Sequence, residues 1–164
     1  MKKILFTLGM LIFVITTNAQ DIADHTIGLR LGNYYGVSYQ KKLTDDSRVE
    51  VGLSYKGYSY YKDLKVDAYY HKVFDFKPVD KMNWYAGAGA GAGFWKYESR
   101  YRYYYERYDY GGSGTYFFVG GTVGAEYKFD FPLMISLDLK PELVFGDFYD
   151  GFHTSGGLTA RYTF

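Results

Sequence analysis

The sequence predicts an all-β fold: a transmembrane, eight-stranded, antiparallel up-and-down β-barrel. Three observations carry that reading. The closing segment, Leu158 to Phe164, alternates at a period of two, with Leu158, Ala160, Tyr162 and Phe164 on one face and Arg161 between two threonines on the other. Seven earlier segments rich in aromatic and β-branched residues repeat the alternation, punctuated by Gly, Asp and Pro. The connections alternate between tight and long, as the two faces of a membrane barrel do.

The start of the chain fits a secreted destination. Met1-Lys2-Lys3 is basic, Ile4 to Ile15 is apolar but too short to span a bilayer, and Ala19 is the small residue a signal peptidase accepts. Residues 1–19 are therefore expected to be a cleaved signal peptide and residues 20–164 a single barrel domain. Loss of Lys2 and Lys3 turns the formal charge of +1 into about −1, which argues against a nucleic-acid partner. With no cysteine the chain has no disulfide and no acylated N-terminal cysteine. The rest of the chain holds no apolar run of about twenty residues, so no helix of it is expected to cross a membrane.

The first segment, about His25 to Leu31, points Ile27, Leu29 and Leu31 to lipid and Arg30 inward, and turns at Gly32-Asn33. The second, Tyr35 to Leu43, places Lys42 inside and closes on Thr44-Asp45-Asp46-Ser47. The third, Arg48 to Tyr58, sets Val49, Val51, Leu53 and Tyr55 outside and Glu50 and Lys56 inside, with a long Tyr-rich loop expected after it. The fourth, Leu64 to Phe76, carries Asp67 and Asp75 inward and closes on Lys77-Pro78-Val79-Asp80-Lys81. Its outer face, Val66, Ala68, Tyr70, Phe74 and Phe76, is interrupted by Lys72, which reads as a bulge or as a lysine reaching for headgroups.

The fifth segment, Asn83 to Tyr97, alternates alanine with glycine between Trp84 and Phe94. A phosphate-cradling loop would need a strand before it, a helix after it and a Lys-Ser/Thr pair, and none is present. Gly87, Gly89, Gly91 and Gly93 read instead as the inner face of a strand, leaving room for long side chains from opposite strands. The sixth, Thr115 to Phe129, puts Phe117, Val119, Val123, Ala125 and Tyr127 outside and Glu126 and Lys128 inside, closing on Asp130-Phe131-Pro132. The seventh, Leu133 to Phe145, separates Leu133, Ile135, Leu137, Leu139 and Leu143 from Ser136, Asp138, Lys140 and Glu142. Pro141 lacks a ladder donor and is expected near the outer rim. The eighth is Thr154 to Phe164. Trp84, Tyr127, Phe129, Tyr162 and Phe164 then gather at one edge as an aromatic girdle.

Inward parity collects Arg30, Lys42, Lys56, Lys128, Lys140 and Arg161 against Glu50, Asp67, Asp75, Glu126, Asp138 and Glu142. An eight-stranded barrel is only wide enough to be filled by side chains, and buried ions there must be paired. The set reads as a structural salt-bridge plug, with Glu50, Glu126, Lys42 and Arg161 as one cluster.

The signal segment, the eight amphipathic segments, the turn asymmetry and the terminal phenylalanine together resemble the small OmpA/OmpX-type outer-membrane barrels. The resemblance implies an outer-membrane location, both termini in the periplasm, contact with outer-membrane lipid and lipopolysaccharide, and no cofactor. It implies a menu of activities, from adhesion and bilayer stabilisation to lipid A modification, and leaves room for a protein partner at the cell surface or a larger outer-membrane complex.

The candidate recognition surface is the loop from Glu98 to Gly114. It carries Arg100, Tyr101, Arg102, Tyr103, Tyr104, Tyr105, Arg107, Tyr108 and Tyr110, followed by Gly111-Gly112-Ser113-Gly114. Tyrosine brings amphipathic area at little entropic cost and arginine adds hydrogen bonding, a composition suited to docking a partner. A non-enzymatic role is expected. The enzymatic alternative places His153, Ser155 and Glu142 at the mouth, loosely like the outer-membrane lipid A deacylases, although no carboxylate side chain follows Ser155 here. A soluble lipocalin-like binder, with the apolar face turned inward, is the other alternative. His25, His71 and His153 are dispersed and no metal site is expected.

Overall fold

A computed structural model describes residues 22–97, 112–146 and 150–164. It contains eight strands: β1 His25–Gly32, β2 Tyr35–Thr44, β3 Ser47–Tyr58, β4 Tyr61–Asp75, β5 Met82–Tyr97, β6 Gly112–Lys128, β7 Leu133–Gly146 and β8 Gly151–Thr163. Each pairs antiparallel with its neighbours in sequence, and β1 pairs with β8 to close the barrel. At the seam, His25 and Phe164 exchange backbone hydrogen bonds of 3.1 and 3.0 Å.

The register sets the shape. Thr26 pairs directly with Thr163. The walk the other way round, from Thr26 through Gln40, Glu50, Tyr69, Gly89, Gly120 and Glu142, arrives at His153, ten residues along β8. A stagger of that size tilts the strands by roughly 40° and leaves a bore that side chains can fill.

Alternation sorts the two faces as the sequence predicts. Leu29, Phe117 and Leu137 are 66%, 63% and 62% exposed on the outside, whereas Arg48, Glu50 and Arg161 are buried inside. A lipocalin-like arrangement requires the reverse. No soluble monomer leaves so continuous an apolar surface in water. At the rim that carries the termini, Phe74 stacks on Trp84 at 4.2 Å between ring centres, and Tyr127, Phe129 and Phe131 form a second cluster. Ile22, just before β1, packs with Val73 and Tyr85 and closes this end of the bore.

Several expectations are corrected. The third strand ends at Tyr58 as expected, but the fourth begins at Tyr61 rather than Leu64, so only Ser59 and Tyr60 connect them where a long loop was expected. Beyond the lipid belt neither face must be apolar, so the alternation fades while the backbone ladder continues. Gly112, Ser113 and Gly114 belong to β6 for the same reason, pairing with Tyr97, Lys96 and Trp95. No bulge occurs at Lys72, since the β4 register is unbroken on both sides. Lys72 points outward at the terminus-bearing rim and binds Asp46. The irregularity lies instead between Lys42 and Thr44 on β2. Pro141 is not at the rim but within β7, opposite Thr154.

Candidate functional site

The lumen holds the polar side chains, and their ion pairs cross the bore rather than joining adjacent strands. Near the terminus-bearing end, Arg48 of β3 makes a bidentate pair with Glu126 of β6 at 3.0 and 2.6 Å and lies 4.8 Å above the Tyr85 ring. Glu50 collects three donors: Gln40 at 2.6 Å, Arg161 at 2.7 Å and Lys140 at 3.1 Å. Arg161 also donates to Ser136, and Lys140 reaches Asp67 at 3.5 Å. Arg30 is held by Asp138 at 2.6 and 2.7 Å. Higher up, Lys65 clasps both oxygens of Glu142 at 2.5 and 2.6 Å, and Tyr69 donates to the same carboxylate at 2.8 Å.

Of the residues the sequence selected, Arg30, Glu50, Glu126, Asp138, Lys140, Glu142 and Arg161 carry these bonds. Asp67 joins them through Lys140 at 3.5 Å, whereas Lys42, Lys56, Lys128 and Asp75 make none of these bonds. Lys42 turns to Asp45 at 3.1 Å in the β2–β3 turn. Lys56 sits at the far mouth, its ammonium 5.5 Å from the centre of the Tyr34 ring and 5.7 Å from that of Tyr58. Lys128 ends β6 and is half-buried at the terminus-bearing rim. The single cluster expected of Glu50, Glu126, Lys42 and Arg161 is therefore divided, because Glu126 binds Arg48 and Lys42 leaves for the turn. Arg48, Lys65, Gln40 and Tyr69 were missed. Arg48 and Lys65 have inward parity but lie next to the turns assigned in the sequence, where parity was not applied.

The glycines of β5 work differently from the expectation. Each one faces the ring of its cross-strand partner on a flanking strand, not a side chain from across the bore. His71 lies over Gly87 and Tyr69 over Gly89 from β4, and Phe118 over Gly91 and Tyr116 over Gly93 from β6. A Cβ at Gly91 would stand 2.4 Å from Phe118, and one at Gly93 only 2.0 Å from Tyr116. Tyr69, Tyr116, Phe118 and Val144 thus close the bore with an apolar layer, against which Trp95 packs.

Above that layer a cavity of about 170 Å³ opens at the mouth away from the termini. Its floor is Asp63, which is buried and accepts hydrogen bonds from Tyr34 at 2.8 Å, Tyr61 at 3.3 Å and Tyr116 at 2.9 and 3.0 Å. Burial and the neighbouring Asp63 charge raise the Tyr34 phenol above its ordinary pKa, so its proton stays on. Glu142, His153 and Ser155 also line this space. Glu142, the cross-strand partner of His153, is also engaged by Lys65 and Tyr69. Arg100, Tyr101, Arg102, Tyr103, Tyr104, Tyr105, Arg107, Tyr108 and Tyr110 lie outside the described residues, as do residues 1–19.

Compared with solved structures, the barrel superposes on Neisserial surface protein A (NspA) with a TM-score of 0.61 and 16% identity, over 87% of this chain and 94% of that one. It superposes on the N-terminal β-barrel domain of Pseudomonas aeruginosa OprF with a TM-score of 0.55 and 17% identity, over 85% of this chain and 95% of that one. The fold is that of the small eight-stranded outer-membrane barrels. No family model and no curated protein matches the chain in sequence.

Proposed function

We propose that this chain is an integral outer-membrane protein whose barrel is a closed, side-chain-filled anchor, non-enzymatic, with recognition carried by the loops at the rim opposite its termini. In this reading both termini lie in the periplasm, the apolar belt contacts outer-membrane lipid and lipopolysaccharide, and the Tyr/Arg-rich loop from Arg100 to Tyr110 docks a partner at the cell surface. The observation that carries it is the pairing of an apolar exterior with a bore blocked twice, by the ions around Glu50 and by the ring layer of Tyr69, Tyr116 and Phe118. Blocked at both levels, the lumen acts as a structural plug and not as a path for solutes.

Cell fractionation combined with semi-native electrophoresis tests this. Recovery in the outer membrane, with a mobility shift between unboiled and boiled samples, is the expected result. Recovery in the soluble periplasm would defeat the proposal. Replacement of Arg100, Arg102 and Arg107 by alanine is expected to preserve the shift and abolish partner capture.

A further inference from the structure

The cavity above Asp63 has a chemistry that the anchor reading leaves unused. Tyr34, Tyr61 and Tyr116 each spend their one hydroxyl proton on the Asp63 carboxylate. What their oxygens have left is lone pairs, so this wall of the cavity accepts hydrogen bonds and has none of these protons left to donate. The other wall is complementary. Asn33 receives the Gly156 N–H on its side-chain oxygen at 3.0 Å, which leaves its amide NH₂ as a donor, and the Lys56 ammonium stands at the same mouth. Thr154 and Ser155 contribute hydroxyls that both donate and accept.

Charge narrows the ligand further. Among the described residues at this cavity, Lys65 offsets Glu142 and Lys56 offsets Asp63, its cross-strand partner, so apart from His153 their formal charges cancel. A ligand that fits must be neutral, carry several hydroxyls, and present apolar C–H surface to the rings and to Val144. The volume, about 170 Å³, equals roughly five or six waters at liquid density. That is room for one ring and is well below the size of a drug-like pocket. We infer that this cavity binds a single neutral sugar ring, the end residue of a glycan. The oxygens of Tyr34, Tyr61 and Tyr116 accept the sugar's hydroxyl protons, and Asn33 and Lys56 donate to its oxygens.

The inference rests on the anchor reading only for what reaches the mouth. Its test separates the two, because the electrophoretic shift reports the barrel whether or not a sugar binds. Saturation-transfer difference NMR on the refolded full chain uses the methyl glycosides of glucose, galactose, mannose and N-acetylglucosamine, up to about 20 mM, well above a Kd of ~1 mM. At least one glycoside is expected to receive saturation. Y61F, which removes one acceptor at the partly exposed edge, is expected to weaken binding about tenfold, and D63N to abolish it with the mobility shift retained. Should D63N fail to fold, Y61F and N33A carry the test.

Titration with polysaccharide freed from lipopolysaccharide and with soluble N-glycans distinguishes the membrane's own sugars from foreign ones. Three results overturn the inference: no transfer to any glycoside from a folded, heat-shifting barrel, wild-type binding in Y61F and N33A, or transfer to ethanolamine with none to the glycosides.

Discussion

The barrel has a low side and a tall side, and they solve the same packing problem in opposite ways. Strand length rises from 8 residues in β1 and 10 in β2 to 16 in β5 and 17 in β6, then falls to 14 and 13 in β7 and β8. On the tall side the outward apolar residues run from Trp84 to Phe94 on β5 and from Phe117 to Tyr127 on β6, each the length of a membrane-crossing strand, about 9–11 residues. Above them the outward positions turn polar at Lys62, Lys96 and Ser113. On β1 the belt is only Ile27 to Leu31.

Inside, the contrast reverses. The low side and its neighbours project long polar chains, Arg30, Gln40, Glu50 and Arg161, across the bore. Between the inward Tyr85 and Trp95 the tall β5 projects only glycines, and rings from β4 and β6 lie over them. A bore of fixed radius must be filled to crystal-like density, so bulk contributed by one wall requires its absence on the other. The charged side offers specificity through ion pairs, and the glycine side offers it through fit.

The charged side should be the most sensitive. E50Q leaves Arg161 and Lys140 short of a counter-charge in a buried site and is expected to cost about 3–5 kcal/mol, read by denaturant unfolding of the barrel in lipid vesicles. K42A, which breaks the exposed pair with Asp45, should cost under about 1 kcal/mol in the same assay. If the two variants were equally stable, the lumen ions would not be the organising contacts of that side.

The belt comes next. A88R, in the middle of the tall wall, should cost about 2–4 kcal/mol, and S113R, above the belt, about 0–1 kcal/mol. Equal costs would mean that the polar positions do not mark the belt's edge. On the glycine side, G91V drives a Cβ to 2.3 Å from the Val66 carbonyl oxygen and 2.4 Å from Phe118, and is expected to cost at least about 1–3 kcal/mol. G121A, on the lipid face with no atom nearer than 3.7 Å, should change stability by no more than about 0.5 kcal/mol.

The smallest effect concerns pH at the terminus-bearing rim. Hydrogen bonds from Lys72 and Thr44 hold Asp46 below the ordinary carboxylate range. A carboxylate depressed in the folded state contributes stability above its unfolded pKa and loses it as pH falls through the folded value. Stability of the wild type should therefore decline more than that of K72A on acidification below the ordinary carboxylate pKa, by an amount typical of a surface pair. Parallel pH profiles would remove Lys72 as the cause.

How much of this was legible in the sequence follows from what parity encodes. Period-two alternation tells which side of the wall a residue faces, and it placed Leu137, Glu50 and Arg161 correctly. It does not tell height. Lys42, Lys56 and Lys128 face inward by parity, yet the ten-residue stagger sets them at different levels, two at the terminus-bearing rim and one at the far mouth. Arg48 and Lys65 share that inward parity but lie near the starts of β3 and β4, where alternation gives the least warning of a lumen partner. The Asp63 cavity was invisible, since it gathers Tyr34 from a turn, Tyr61 and Asp63 from β4, and Tyr116 from β6. Only closure of the barrel brings those three segments together.

The account turns on which side of the wall meets lipid. The chain has no native cysteine, so a nitroxide can be placed singly at Leu137, Leu139 and, as a water-exposed reference, Ser113 in the protein reconstituted in vesicles. Collision rates are then read with oxygen, which concentrates in lipid, and with a water-soluble nickel chelate. The account predicts high oxygen and low nickel collision at Leu137 and Leu139, with the order reversed at Ser113. Nickel collision at Leu137 equal to that at Ser113, or shielding from both reagents, would contradict it.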